Sequence, residues 1–398
     1  MTADSLSADR QSVDSVSSKN DADETAVRDS LAARDDFITV SLLISEPLPV
    51  LFSVFGHATL RMECPTYHLD YIYTLESDDT KGVFITGVLG KAKAKYVAIV
   101  TDSILSDCRN QGRQVMHYRI NLTPREKQEL WRLLDEEIAA GAYHNFNLLT
   151  TNCLSSSIIN VQRCLIGEHF EWGPLRHPMT LCDGDMFRYT MRNAPWAEFF
   201  LVTFGGTAYD RFTTTEYRLT PEAVIPMLRE ARFINDETGE NRFVVTDPGT
   251  ELVPAGEKGG SFPLSPLVTF GILLVLALVV TAIEWLTGKH GIGRVFDIIL
   301  FTAQGLMGLL LLIITFFSEI FVSTWNWYLI VFLPLPLLIW CCLEGKKAAR
   351  CWLVYSIILV LFIAATPLIK ALDLPHQLIT ASLLVRSLSR YRELNHST

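Results

Sequence analysis

Charged residues are scarce in this chain, and the shortage is greatest in its C-terminal part. Asp, Glu, Lys and Arg make up 19% of the 398 residues, against about 25% in a typical soluble protein. The apolar surplus lies almost entirely after Ser265. Basic residues are outnumbered, giving a net charge of −9, whereas nucleic-acid binding needs a basic face. The composition therefore argues against nucleic acid as a partner and indicates a membrane-embedded C-terminal part.

The CxxC spacing of zinc sites and thioredoxin-type motifs is also missing. A zinc site of His57, Cys64 and His68 is a weak alternative, and we expect neither a metal nor a cofactor. Five of the eight cysteines fall in the front part, at Cys64, Cys108, Cys153, Cys164 and Cys182. In an oxidising compartment an odd number leaves at least one thiol unpaired, and a free thiol can act as a nucleophile.

The N-terminal segment 1–36 contains no apolar h-region, so it does not read as a signal peptide. Ser, Asp and Ala dominate it, with nine acidic and four basic residues. Such a composition cannot bury enough apolar surface to fold alone, and it predicts a disordered acidic tail. We expect a globular domain over 37–255, a Gly-rich linker over 256–265 and a helical membrane domain over 266–390.

Within the globular domain, mixed strand and helix signals predict an α+β fold. Apolar and β-branched runs predict strands at 37–44, 57–62 and 69–75, the last two as neighbours. The sequence Thr-Pro-Arg-Glu from Thr123 predicts a capped helix start, and a second helix is expected over 152–162. Thr213–Thr215 and the Asp-Pro-Gly sequence at 247–249 are typical of loops.

The C-terminal part predicts five transmembrane helices, at 266–287, 295–317, 326–343, 352–369 and 374–388. The first two are long enough for a hydrocarbon core of about 30 Å. Basic residues cluster in the first and third loops and in the C-terminal tail, at Lys289, Arg294, Lys346, Lys347, Arg350, Arg390 and Arg392. With five helices these clusters share one side, which the positive-inside rule makes cytoplasmic. The front domain is then external, and we weigh the loop charges above the absence of an h-region.

Few charged residues lie within these spans. Glu284 and Asp297 lie near the inner helix ends, where we expect them to pair with loop bases. Asn326 either caps a helix or faces substrate near the outer surface. Apart from Arg386 in the fifth span, no charged residue lies in the membrane interior, which argues against an ion-coupled transporter.

His57 and Cys153 are the candidate catalytic pair. Cys153 begins a predicted helix, whose dipole should lower the pKa of the thiol. A histidine on a nearby strand can accept the thiol proton, and the N–H groups at the helix start can receive an oxyanion. Three alternatives stay open: His144 as the base, His68 or Asp70 as the residue that orients the imidazole, and a Cys and His that are merely core residues.

Several ordered motifs resemble the family of Lnb, a bacterial lipoprotein N-acyltransferase. They include Phe-Gly-His-Ala-Thr-Leu-Arg at 55–61, Gly-Arg-Gln-Val at 112–115, Asn-Leu-Thr-Pro-Arg-Glu-Lys at 121–127 and Thr-Asn-Cys at 151–153. The stretch Trp-Asn-Trp-Tyr-Leu at 325–329 is similar to a motif of the family's membrane part. The departures are Thr-Asn-Cys-Leu-Ser, where the family often has Asp-Asn-Cys, and Asn-Trp-Tyr, where it has Asn-Trp-Asn.

The resemblance implies a circularly permuted papain-like fold, of the NlpC-like and lecithin:retinol acyltransferase-like type, in which His precedes Cys. It assigns Cys153 as the nucleophile, His57 as the base and Asp70 as a further catalytic residue. It also suggests that Asn152 and Arg61 bind substrate or the oxyanion.

The leading hypothesis is an acyltransferase of the bacterial inner membrane with a periplasmic N-terminal domain and a cytoplasmic C-terminus. It would move an acyl chain from phospholipid, through a Cys153 thioester, to the α-amino group of a diacylglyceryl-cysteine lipoprotein. The alternatives are a thiol phospholipase or amidase of the cell envelope and a non-enzymatic membrane receptor or scaffold.

Overall fold

The structure is a computed structural model that describes residues 38–49, 53–77, 83–147, 151–174, 188–206, 220–257, 262–319, 326–366 and 373–396. The predicted tail at 1–36, the predicted loop at Thr213–Thr215, Cys182 and residues 258–261 of the linker lie outside these ranges.

The described residues of the front domain form two antiparallel sheets, which together with its helices confirm the predicted α+β class. The strands are β1 (Thr39–Ser45), β2 (His57–Cys64), β3 (Leu69–Glu76), β4 (Ala92–Val100), β5 (Val115–Arg119), β6 (His144–Phe146), β7 (Glu168–Glu171), β8 (Arg232–Asn235), β9 (Asn241–Phe243) and β10 (Thr250–Val253). The larger sheet has the order β10-β5-β1-β2-β3-β4-β6, and the smaller has β7-β8-β9. The three predicted strands are β1, β2 and β3, and the last two pair as expected.

In the described part of the domain, the helices that accompany these sheets include α1 (Val83–Val88), α2 (Thr101–Asn110), α3 (Pro124–Ala140), α4 (Cys153–Arg163), α5 (Pro195–Gly205) and α6 (Pro221–Glu230). The predicted start of α3 is confirmed. The Thr123 side chain accepts the N–H of Glu126, and the Glu126 carboxylate accepts the N–H of Thr123. The predicted helix at 152–162 is α4.

Side chains of the central strands point alternately to the two faces of the larger sheet, and each face is covered by its own hydrophobic core. Val40 and Leu42 of β1 and Leu60 of β2 are buried with Leu130 of α3 and Leu154 of α4. The opposite face buries a smaller cluster that consists of Leu43, Ile72, Leu105, Cys108, Val115 and Val253. Because successive residues of a strand face opposite ways, a central sheet buried on both faces fixes its register, and with it the position of every strand end.

The C-terminal part is helical, as expected: α7 (Pro266–Thr287), α8 (Gly291–Phe317), α9 (Tyr328–Phe332), α10 (Leu335–Cys342), α11 (Gly345–Ala365) and α12 (Leu374–His396). Within the described residues, α7, α8 and α11 are long and apolar enough to cross a membrane. Their exposed apolar side chains, such as Leu286, Ile299 and Leu361, suit a lipid environment.

The predicted span at 326–343 is helical, but it is interrupted, because α9 and α10 are separated at Leu333 and Pro334. Pro334 lies at the break, where a proline lacks the N–H that would continue the helix. The amide of Gln304 on α8 donates to the carbonyls of Val331 and Leu333, at 2.9 and 2.6 Å. This side chain satisfies carbonyls that the break exposes, which is a condition for irregular backbone at membrane depth.

A buried ion cluster replaces the predicted pairing of Glu284 and Asp297 with loop bases. The Arg386 guanidinium on α12 binds both oxygens of Asp297, at 2.6 and 3.0 Å. It also donates to Glu284 and to Thr281, each at 2.8 Å. A Cβ on Gly293 would lie 1.6 Å from a Glu284 oxygen, so α8 can approach this cluster only with glycine there. The cluster explains why α12 carries a charge in its apolar face.

The front domain contacts one end of the helical part. Ser318, after α8, donates to the carbonyl of Val88 at 2.9 Å, and the Trp196 indole of α5 donates to the carbonyl of Leu264, before α7, at 2.7 Å. The Asn326 amide donates to the carbonyls of Thr203 and Phe204, and its oxygen accepts the N–H of Tyr328. The Asn326 side chain therefore joins the first residue of α9 to the C-terminal turn of α5.

His376 strengthens the same junction. Its ring stacks on Phe199 and Tyr328, with centroids 4.6 and 4.0 Å apart. Its Nε2 lies 2.7 Å from the Thr203 hydroxyl, and its Nδ1 contacts Asp373. The described contacts of the front domain thus involve the helix ends opposite to the basic loops.

Replacing Arg386 with leucine should destabilise the helical part. Two carboxylates would lose their buried partner, and the loss of one member of a buried ion pair typically costs about 3 to 5 kcal/mol. We expect a sharply lower yield of folded Arg386→Leu protein and a lower thermal unfolding temperature in detergent. Arg392→Leu, at an exposed neighbour on the same helix, is the control, and an equal loss in both variants would contradict this role of the cluster.

Candidate active site

Strand β1 ends, and strands β2 and β5 begin, at the same end of the larger sheet. This end of the sheet is called the site edge. Ser45, the last residue of β1, pairs with His57 on β2 and with Val115 on β5. The N–H of Glu46 continues the pairing to the Gln114 carbonyl at 2.9 Å. With neighbouring strands about 4.8 Å apart, this edge brings His57 and the start of β5 within about 10 Å of each other.

His57 is oriented by the neighbouring strand. Its Nε2 lies 3.1 Å from the Thr74 hydroxyl of β3. Burial of the imidazole, reinforced by the positive charge of Arg113, lowers the pKa of His57 to about 4. Since burial disfavours the charged form of the ring, His57 is neutral near pH 7 and can accept a proton.

Cys153 is held by the N-terminal cap of α4. The Asn152 side chain accepts the N–H of Ser155 at 3.0 Å, and the Ser155 hydroxyl accepts the N–H of Asn152 at 2.9 Å. This capping box places Cys153 at the first helical position. The Cys153 sulfur accepts the backbone N–H of Ala58, the residue after His57. This hydrogen bond joins the start of α4 to β2, next to His57.

The thiol is protonated in the resting site, contrary to the expected effect of the helix dipole. Burial is the largest influence on Cys153 and raises its pKa above the ordinary value. The N–H groups of Ala58, Leu154 and Cys153 itself, and the charge of Arg113, oppose this rise without reversing it. A buried thiolate costs more than a buried thiol, so the resting pair is a neutral cysteine and a neutral histidine.

Arg113 lies at the same edge of the sheet. It precedes β5, its backbone N–H bonds to the Cys108 carbonyl at 2.8 Å, and its Nε donates to the Glu46 carbonyl at 2.6 Å. The residue is only 9% exposed, and its charge acts on both His57 and Cys153. In the sequence this arginine belongs to the Gly-Arg-Gln-Val motif at 112–115, and no local pattern indicates its position beside His57.

Asp70 and Arg61 lie away from this edge, and the register does not support their predicted roles. Asp70 pairs with Glu63, six residues from His57, which is about 20 Å along an extended strand. Arg61 forms a two-point ion pair with Asp70, at 2.9 and 2.7 Å, and also binds Glu63. The Asp70 carboxylate further accepts the Thr101 hydroxyl. These residues form a structural ion network on the sheet.

The remaining candidate histidines, His144 and His68, lie away from His57, whereas Asn152 adjoins Cys153 as the helix cap. His144 lies on β6, three strands from β2, where its Nε2 is 3.2 Å from a Glu137 oxygen. His68 occupies a left-handed turn position before β3. Asn152 acts as the helix cap through its side-chain oxygen, and its oxyanion role stays a prediction.

A cavity of about 190 Å³ adjoins this edge of the sheet. The loop after β1 lines one side with Glu46, Pro47 and Leu48, and the residues before α5, including Asn193 and Ala194, line the other. Helix α5 contacts the membrane helices directly. The site edge therefore lies on the side of the domain that leads to the junction with the bundle.

Comparison with protein-family models places both parts of the chain. Residues 31–170 match the Lnb N-terminal periplasmic domain, and residues 257–397 match the Lnb transmembrane domain. The chain belongs to the Lnb family. Searches of curated proteins and of solved structures gave no match. Family membership indicates a membrane protein with a periplasmic N-terminal domain and a role in lipoprotein modification.

The remaining thiols of the described front domain are buried. Cys64, Cys108 and Cys164 are buried free thiols, while Cys153 keeps part of its surface exposed. Among the described residues no three His, Cys, Asp or Glu side chains are grouped so as to hold a metal ion. Cys153 is therefore the accessible thiol of the described front domain.

The resting protonation state predicts how Cys153 reacts with a neutral alkylating reagent. Because burial raises its pKa, the rate of alkylation by iodoacetamide should increase with pH and reach its midpoint above that of an ordinary cysteine, about 8.5. Rates are measured by intact mass between pH 5 and 10, with Cys153→Ser identifying the labelled thiol. A midpoint below pH 7 would instead indicate a preformed thiolate and imidazolium pair.

Proposed function

We propose that this Lnb-family chain transfers an acyl group from a phospholipid to the α-amino group of a lipoprotein's diacylglyceryl-cysteine, through a thioester on Cys153. The observation that carries the proposal is the attachment of the Cys153 sulfur to the N–H of Ala58, directly after His57. A nucleophile at a helix start and a neutral base on the adjoining strand are the components of covalent acyl transfer. The order of His before Cys is also that of the proposed circularly permuted papain-like fold.

In the first half-reaction, His57 accepts the thiol proton while the Cys153 sulfur attacks an ester carbonyl of the phospholipid. The resulting oxyanion would be received by N–H groups at the start of α4, where Cys153 and Leu154 contribute theirs. Collapse of this intermediate breaks the ester C–O bond, and His57 returns its proton to the departing lysophospholipid oxygen. The products are a Cys153 thioester and a lysophospholipid.

In the second half-reaction, the free α-amino group of the lipoprotein attacks the thioester carbonyl. His57 removes a proton from the attacking nitrogen and delivers it to the departing sulfur. An amide forms, and Cys153 regains its thiol. A neutral imidazole is the required form at the start of both halves, which fits the pKa of His57 of about 4.

The site's place in the fold suits lipidic substrates. The adjoining cavity opens between the loop after β1 and the residues that lead into α5, and α5 is hydrogen-bonded to the helical part through Thr203 and Phe204. With five spans and cytoplasmic basic loops, this end faces the periplasm at the outer leaflet of the inner membrane. Both the phospholipid and the lipoprotein would then reach the site from the membrane plane.

Complementation tests the proposed function. The chain, Cys153→Ala and His57→Ala are each expressed in cells depleted of their own lipoprotein N-acyltransferase, and lipoprotein N-termini are examined by mass spectrometry. N-acylation by the parent and its loss in both variants, at equal expression, is the expected result. Arg61→Lys, distant from the site, is the control and should retain N-acylation.

Two outcomes would contradict the proposal. Free fatty acid without N-acylated lipoprotein would indicate a thiol hydrolase that uses the same pair. Unchanged N-acylation in Cys153→Ala would exclude the thioester.

Thr74 should act as a positioning residue through His57. If Nε2 donates to the Thr74 hydroxyl, Nδ1 is the nitrogen that takes the thiol proton, and loss of the hydrogen bond would release this orientation. One such bond contributes about 0.5 to 1.5 kcal/mol, so Thr74→Val should lower kcat by about threefold to tenfold with little change in KM. Thr74→Ser should restore the parent rate, and equal loss in both variants would contradict positioning by the hydroxyl.

A further inference from the structure

Arg113 combines burial with an unused hydrogen-bonding group. Among the described residues its Nη2 atom is enclosed and has no hydrogen-bond partner, although its Nε is bound to the Glu46 carbonyl. A buried donor without a partner costs about 1 to 3 kcal/mol. Arginine stays protonated under physiological conditions, so this edge of the sheet holds a fixed and incompletely satisfied positive charge.

The backbone fixes where this charge lies. Gly112, before Arg113, has a φ of +63°, and a Cβ there would come within 2.3 Å of the Glu257 carbonyl oxygen. The Gly256 N–H bonds to the Gly112 carbonyl at 3.0 Å. The turn at Gly112 is therefore fixed against the residues that follow β10. This turn leads into β5 and places Arg113 at the same edge of the sheet as His57.

We propose that Arg113 binds the phosphate of the acyl-donor phospholipid while the donor's ester carbonyl lies at Cys153. This inference rests on the proposed function and adds the group by which the donor is selected. In a glycerophospholipid only the glycerol unit separates the phosphate from the ester, which matches an anion-binding group beside the nucleophile. Guanidinium groups bind phosphate oxygens through strong charge-assisted hydrogen bonds. The negative charge of the nearby Glu46 carboxylate also acts on this guanidinium. It partly offsets the positive charge of the subsite.

Donor selectivity tests this subsite. The full chain in detergent is mixed with phosphatidylethanolamine or with a diacylglycerol of the same acyl chains, which lacks phosphate, and acyl-Cys153 is measured by intact mass. Arg113→Gln should lose about tenfold to a hundredfold in kcat/KM for phosphatidylethanolamine, as expected for a hydrogen bond to a charged group. Its kcat/KM for diacylglycerol should fall far less, because that donor loses only the effect of the Arg113 charge on His57 and Cys153.

Two further variants separate charge from structure. Arg113→Lys keeps the positive charge and should recover part of the rate with phosphatidylethanolamine. Arg109→Gln removes a half-exposed arginine from the preceding helix, where it pairs with Asp102, and should change neither rate. An equal loss of both donor activities in Arg113→Gln, or no loss of either, would overturn the proposal.

The anion-binding role of Arg113 can also be tested without acyl transfer. This second test remains valid if the chain does not transfer acyl groups. Alkylation of Cys153 by anionic iodoacetate is compared with alkylation by neutral iodoacetamide. The ratio of the two rates should fall in Arg113→Gln and be largely kept in Arg113→Lys, because a nearby cation favours the anionic reagent. Absence of acyl-enzyme in the parent would contradict the transferase, whereas a ratio that Arg113→Gln leaves unchanged would overturn the anion subsite.

Discussion

The attachment of α4 to β2 is the constraint on which the candidate site depends. The Asn152 capping box determines which residue begins the helix, and the N–H of Ala58 holds the sulfur of that residue. The register of β2 against β1, fixed by burial of both sheet faces, then places His57 at the same edge. Without either element the two reactive side chains would have no common position.

This arrangement maintains an uncharged resting pair. Burial opposes both the imidazolium and the thiolate, so neither reactive group is activated before a substrate arrives. In the proposed reaction, proton transfer to His57 would accompany attack on the ester instead of preceding it. Such a site avoids a permanently reactive thiolate in an oxidising compartment, where low-pKa thiols are the most readily oxidised. The Arg113 charge opposes the rise in the Cys153 pKa, and in the proposed donor complex it would also bind the phosphate.

Local sequence signals predicted the elements that carry the site but not all of its partners. The strand at His57, the helix beginning after Asn152 and the capping box of α3 each follow from patterns within a few residues. Thr74 and Arg113 depend on strand register and on a turn closed by Gly256, which no local pattern reveals. Asp70 was assigned from its strand, yet register places it about 20 Å from His57. In the helical part Pro334 was a visible signal for the break, whereas the Arg386 cluster required knowledge of which helices meet.

The most direct test of the account is to trap the acyl-enzyme. The full chain is incubated with phosphatidylethanolamine without a lipoprotein acceptor and examined by intact mass before and after treatment with neutral hydroxylamine. The account predicts an acyl adduct that peptide mapping assigns to Cys153, that hydroxylamine releases and that His57→Ala forms far more slowly. An adduct on another residue, or consumption of the phospholipid without any adduct in the parent or in slowed variants, would contradict a Cys153 thioester.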